Sequence, residues 1–249
     1  MCVTSHAKSV TIHLPLIAAL NLIEDQIVKI KNLLFIMTVV VNLLVATTSC
    51  SQAPNQEDPT ILSIQGERMY IMGGFHSESY DLVKTAIDNN PDIKMIVLTA
   101  NDGSSDSRNT LKLARYIRSK KLNTHLINQS VITSGAVDLF LAGVHRTMEK
   151  GAKVGVHSWA DDIKQAQAKD LPRNHDDHKL YTTYMQDMID NDSFYWFTIY
   201  SAAAEEMYWM NDDEIKKYNL LTQPPLSASN DQTPFGKNFS SYRKEILEE

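Results

Sequence analysis

Residues 131–157 read VITSGAVDLFLAGVHRTMEKGAKVGVH, and their pattern decides the fold class. Val131 to Thr133 closes an apolar strand and Ser134-Gly135 makes a turn. Ala136 to Glu149 carries an apolar face at helical spacing, so a helix is expected there. Lys153 to Val156 is a second short strand that ends at His157. A serine at a strand-to-helix junction sets its hydroxyl where unpaired backbone N–H groups face a developing anion. A histidine ending the next strand can stand beside that hydroxyl as its base. The same residues also admit a structural reading, in which Ser134 is an N-cap and His157 a strand-end histidine.

The chain upstream repeats the alternation. Met69 to Met72 is an apolar strand followed by the Gly73-Gly74 turn, and Ser77 to Asn89 is helical by the spacing of Tyr80, Leu82, Val83, Ala86 and Ile87. Pro91 stops that helix. Residues 95–99, MIVLT, form an all-apolar run of the kind a buried strand needs. The turn Asn101-Asp102-Gly103-Ser104-Ser105 follows, then a helix from Thr110 to Ser119 and a strand from Leu122 to Ile127. Strand, helix, strand, helix predicts an α/β fold with a mainly parallel sheet flanked by helices. Sites in such sheets form at the C-terminal strand ends. Gly103, Ser134 and His157 all fall at such ends.

Downstream, Ser158 to His178 is polar and reads as a loop or exposed flap. His175 and His178 are spaced to meet on a helix, but no third protein ligand follows in a metal-binding pattern, and a solvated charge run is the expectation. Leu180 to Ala204 is rich in Tyr, Phe and Trp at spacings that suit a helical pair packed on the sheet. Asp212-Asp213-Glu214 opens a last short helix, its acids well placed in the first turn. Residues 223–249 turn polar and read as a loosely held tail.

The 249 residues are 43% hydrophobic, enough for one substantial core with terminal extensions. A net charge of −6 without a basic cluster argues against nucleic acid as a partner. Both cysteines, Cys2 and Cys50, precede the folded body, so no disulfide framework is available to it. Lys29 and Lys31 flank an uncharged run from Asn32 through Ser49, and Ala46-Thr47-Thr48-Ser49 leads into Cys50. Basic flank, apolar run and small residues make a secretory signal. Cys50 stands where a bacterial lipoprotein is lipidated, although Thr47 occupies a place usually held by Leu. An ordinary signal peptide and an uncleaved anchor are the other two readings, and all three carry the domain out of the cytoplasm to the cell envelope. Residues 1–28 precede this signal with Glu24 and Asp25, and the expectation is that translation starts near Val28. The resulting division is a leader and signal over 1–50, a linker over 51–59, a folded domain over 60–222 and the tail over 223–249. Neither a phosphate-binding loop nor a dinucleotide glycine fingerprint is present, so no cofactor is expected.

Residues 67–222 resemble the Clp peptidase/crotonase superfamily, most of all its Clp-protease-like periplasmic proteins. The matching pieces, in order, are ERMYIMGGF, IVLTANDGSS, ITSGAVDLFLAG, VGVHSW and DDEIKKYNLLT. The resemblance implies a spiral of strand–strand–helix units, homo-oligomerisation in many members, and hydrolysis of peptide bonds by Ser, His and an acid. On it, Ser134 matches the nucleophile and His157 the general base, while the backbone N–H groups of Gly103 and Gly135 match the oxyanion donors. Two departures stand out. The oxyanion loop has Asp102 and a single Gly103 where the family usually has Pro-Gly-Gly. The family's aspartate falls near Met207, so Glu206 is the favoured acid, with Glu205, Asp187, Asp190 and Asp192 as alternatives. The expectation is therefore an exported serine hydrolase acting on a peptide or another acyl substrate, tethered to the membrane through its N-terminus. The rival expectation is an envelope scaffold that keeps the fold without catalysis. Coenzyme A thioester chemistry is a third reading, and the Ser and His at these positions do not call for it.

Overall fold

The protein is described from a computed structural model that covers residues 59–161 and 166–248. The leader, Cys50 and nearly all of the linker lie outside the described residues. Among the described residues no helix is long and apolar enough to cross a membrane.

The chain folds as α/β with a seven-stranded sheet at its centre. Strands β1 (Ile61–Gln65), β2 (Arg68–Met72), β3 (Met95–Asn101), β4 (Asn123–Thr133), β5 (Arg146–Met148), β6 (Lys153–Val156) and β9 (Tyr208–Trp209) compose it. The order is β1-β2-β3-β4-β6-β9, with β5 also on β4. Pairs β2/β3, β3/β4, β4/β5 and β4/β6 are parallel, and only the edge strands β1 and β9 run antiparallel to their neighbours.

Helices α1 (Ser79–Asn89), α2 (Ser107–Ser119), α3 (Gly135–Leu141), α4 (Lys179–Ile189), α5 (Ser193–Ser201), α6 (Asp212–Lys217) and α7 (Gly236–Glu248) complete the body. Alternation along the strands explains why helices cover both faces. Met69, Ile71, Ile96 and Leu98 point into the main core with Val83, Leu113, Phe140, Tyr184 and Phe194. Met72, Ala100 and Val131 point the other way, onto Phe239 and Ile246 of α7. The carboxyl-terminal segment, expected to be loosely held, is thus an integral layer. Phe239 and Ile246 lie seven residues apart, a helical repeat that the polar residues around them obscure.

Three other expectations are corrected. Leu122–Ile127 and Val131–Thr133 are parts of one strand, β4, whose first half pairs with β5 and whose second half pairs with β6. Its pairing with β3 jumps register between Leu98 and Ala100, where Ser130 Oγ donates to Leu98 O at 2.6 Å.

The helix expected over 136–149 ends at Leu141. There the chain is drawn into pairing by Val144 N–H to Leu122 O and Thr124 N–H to His145 O. Buried Arg146 locks the exit, donating to the carbonyls of Gly143, Asn219 and Leu220.

The polar flap carries a small hairpin, β7 (Ala160–Asp161) with β8 (Ala166–Gln167). His178, expected in a solvated run, is buried against Trp159, Tyr195 and Trp196. Its Nδ1 lies 2.6 Å from the Tyr195 hydroxyl.

Candidate active site

Strand register brings the sequence-predicted residues together. Asn101 pairs with Ile132, and Thr133 pairs with Gly155, so the ends of β3, β4 and β6 stand side by side. The residues that follow, Gly103, Ser134 and His157, therefore emerge at one edge. Ser134 N–H donates to Gly155 O at 3.1 Å, which extends the pairing into the turn.

Ser134 takes φ 51° and ψ −128°. A side chain in this region costs of order 1–3 kcal/mol and persists only where its surroundings enforce it. Here the backbone must reverse within one residue, from a paired strand to a helix whose first member is Gly135. At this turn Ser134 lines the cavities on either side of it. Ser134 does stand at the N-cap position of α3, as the structural reading has it, but its hydroxyl makes no capping bond.

The two glycines fit tightly around this turn. Gly103 has φ 125°, and a Cβ there would come 2.9 Å from Ser134 Cβ. A Cβ on Gly135 would meet Ser104 Cβ at 2.5 Å and Ser104 N at 3.3 Å. The backbone of the 103–105 loop thus lies against Ser134 and the start of α3. That loop is held by Phe75 N–H to Gly103 O and Ser105 N–H to Phe75 O, at 2.9 and 3.0 Å. Gly135 opens α3, so its N–H has no intrahelical acceptor. Asp102, the unexpected acid, is exposed and lies towards Gly74, its Oδ1 3.0 Å from where a Cβ on that glycine would be.

His157 is oriented by backbone. Its Nδ1 lies 2.8 Å from the Ala204 carbonyl. A carbonyl only accepts, so Nδ1 carries the proton and Nε2 keeps its lone pair, as a base requires. The carbonyl is itself fixed, because Ser158 N–H donates to Ala202 O and Ala204 N–H to Gln167 Oε1. Burial holds the imidazole below the ordinary histidine range, against the opposing pulls of the Ala204 carbonyl and the Glu205 carboxylate. Among the described residues no hydrogen bond joins Ser134 Oγ to His157. Such contacts are often long without substrate.

The expected acid is corrected. Glu206 is exposed, and its carboxylate accepts from Ala203 N–H. Glu205 accepts from Gln167 Nε2. Neither carboxylate takes the position at Nδ1, where Ala204 O stands. A backbone acceptor leaves no trace in side-chain identity, which is why residue type pointed elsewhere.

Ser134 and His157 lie on the wall between two cavities. One, about 270 Å³, opens beside Gly74, His76, Asp102 and Gly103. The other, about 230 Å³, is walled by Trp159, Tyr181 and Tyr195 and holds Asp138. Asp138 was not foreseen, yet its spacing of four from Ser134 puts it on the same side of the helix. Withdrawal from water pushes its carboxyl up to about 7.

No protein-family profile matches the chain, and no curated protein matches it significantly. Solved structures do. A Pseudomonas aeruginosa protein titled DspI matches at 9% identity and a TM-score of 0.45, over 81% of this chain and 84% of that one. The ClpP protease catalytic domain from Plasmodium falciparum matches at 13% identity and a TM-score of 0.47, over 68% and 89%. An enoyl-CoA hydratase from Bacillus halodurans matches at 15% identity and a TM-score of 0.43, over 76% and 80%.

Proposed function

We propose that this chain is an exported serine hydrolase that cleaves a peptide or related acyl bond. The observation that carries the reading is Ser134 at φ 51°, on one cavity wall with a histidine whose Nδ1 is committed to the Ala204 carbonyl. In the reaction, His157 Nε2 takes the Ser134 proton as Oγ bonds to the substrate carbonyl carbon. The carbonyl oxygen becomes an anion beside the backbone N–H groups of Gly103 and Gly135, the donors that acyl transfer needs. Collapse of that adduct breaks the bond to the leaving group, which receives the proton from His157. Water then repeats the sequence on the acyl-serine, restoring both residues. A carbonyl in place of a carboxylate stabilises the imidazolium less, so the reading entails a slower base than a full triad gives.

Export rests on the apolar run before Cys50, and attachment to the envelope membrane on a lipid at Cys50. The test of catalysis is labelling of the full chain by a fluorophosphonate, which bonds only to an activated serine. Labelling of wild type, with loss in both Ser134→Ala and His157→Ala, is expected. Unlabelled, folded wild type would refute the reading. It would favour the second one, a non-catalytic scaffold, for which the observation is that no carboxylate stands at His157 Nδ1.

A further inference from the structure

Besides His157, the aromatic cavity beside Ser134 holds a single titratable group of strong charge, an acid. Among the described residues that line it, Asp138 is the only carboxylate, and neither Lys nor Arg is present. No described side chain hydrogen-bonds or ion-pairs the Asp138 carboxyl. The tyrosines feel it instead: Tyr181, Tyr184 and Tyr195 are each held above the usual phenol range, chiefly by burial, with the nearby Asp138 charge adding to it. Asp138 is half-buried, and a carboxyl that faces a largely apolar cavity with no described partner is costly in its charged form, which makes it a poor structural element and a good receptor.

We propose that this cavity binds the side chain on the acyl side of the scissile bond and selects a basic one, lysine or arginine, with Asp138 receiving its charged head. The assignment rests on the serine-hydrolase reading of Ser134 and names the substrate class of that site.

Three features set the choice. Asp138 lies one helical turn beyond Ser134 and lines the same cavity, so a side chain entering from the reacting carbon must extend along the cavity to reach its carboxyl. The volume, about 230 Å³, equals roughly seven or eight water molecules, which suits a single extended side chain. Trp159 stacks on Tyr181 and Tyr181 on Tyr195, with centroids 5.8 and 5.5 Å apart, giving a flat apolar wall for the aliphatic stem. An acidic side chain would meet Asp138 with no described Lys or Arg in the lining to neutralise it. An apolar one would cover the half-buried carboxyl and leave it with no described partner. The adjoining cavity adds to the bias: Asp106, Asp161, Asp176 and Asp177 line it with Arg108, and Lys179 pairs with Asp176. Its excess of negative charge favours approach of a cation.

The test uses the purified full chain and two diphenyl phosphonates that phosphonylate an active serine with loss of phenoxide. One carries a lysine side chain and the other norleucine, which lacks only the terminal ammonium. The readout is the ratio of their labelling rates. A preference of about tenfold or more for the lysyl probe is expected from one charge-assisted pair, and Asp138→Asn should bring the ratio near one. Equal or faster labelling by the norleucyl probe overturns the assignment and leaves the serine-hydrolase reading intact. A lysyl preference that survives Asp138→Asn also overturns it. Absence of labelling by both probes and by a fluorophosphonate without a side chain overturns the reading of Ser134 itself, and the assignment with it. The wild-type ratio stands as a test even where Asp138→Asn does not fold.

Discussion

The backbone at Ser134 makes a prediction about stability that is independent of substrate. A residue with a Cβ at φ 51° and ψ −128° is strained, and glycine is not. Ser134→Ala keeps the strain and removes the hydroxyl, while Ser134→Gly removes both. Relief of the strain favours glycine by about 1–3 kcal/mol. Against this, glycine loses about 0.4–1 kcal/mol through the larger entropy of its unfolded chain. It also loses a half-buried methyl, about 0.4 kcal/mol at half the usual value for a buried carbon. The balance is near 1 kcal/mol in favour of Ser134→Gly over Ser134→Ala, which for a body of this length is about 2–4 °C in melting temperature. Both variants should be inactive, so the comparison separates strain from chemistry. The assay is paired thermal and urea unfolding of the two purified proteins. Ser134→Gly less stable than Ser134→Ala by more than about 0.5 kcal/mol, below the low end of these ranges, would show that the turn is not strained.

Other consequences are open to measurement. Because burial depresses the His157 pKa below its ordinary 6.5, the neutral base is present already under that pH. The acylation rate should therefore rise to its plateau with a midpoint below 6.5, and a midpoint above it contradicts the assignment. The same depression means that the unfolded chain binds more protons. This contribution to stability is complete above pH 6.5 and is lost as pH falls through the folded value. Gly135→Ala should lower turnover by about 10²–10³-fold, since its Cβ would press on Ser104 and shift the donors around the oxyanion; activity within threefold of wild type in a steady-state assay would contradict this. Glu206→Gln should leave turnover within about twofold, as an exposed substitution away from the base, whereas a large loss would return the orienting role to that carboxylate. Phe239→Ala should cost about 3–5 kcal/mol in denaturant unfolding, the range for a buried phenylalanine. A cost under 1 kcal/mol would mean that the carboxyl-terminal helix is not part of the core.

How much of this was legible depends on what kind of group does each task. The parallel sheet could be read because strands such as 95–101 are buried on both faces and need continuous apolar sequence. Ser134, Gly135, Gly103 and His157 could be read because side-chain type and position at strand ends carry their meaning. The acceptor at His157 could not, since any residue at 204 offers a carbonyl. The length of the helix after Ser134 was misjudged for a related reason: Val144 and Arg146 fit a helical stripe, and only their pairing with Leu122 and with the 219–220 carbonyls shows why the chain leaves it. Asp138 carries no signal of its own in the sequence, because an acid in a first helical turn ordinarily needs no further explanation. Its meaning came from the cavity, which forms only when α4 and α5 bring Tyr181 and Tyr195 across from it.

The central claim is that Ser134 forms an acyl-enzyme with His157 as its base. The most direct measurement mixes the full chain with an activated ester such as p-nitrophenyl acetate, follows the burst of nitrophenolate, and locates the acetyl group by mass spectrometry after acid quench. The account predicts a stoichiometric burst with acetyl on Ser134, absent in Ser134→Ala and slowed by at least about 10²-fold in His157→Ala. No burst from folded wild type, or acetyl on any other residue, would contradict it.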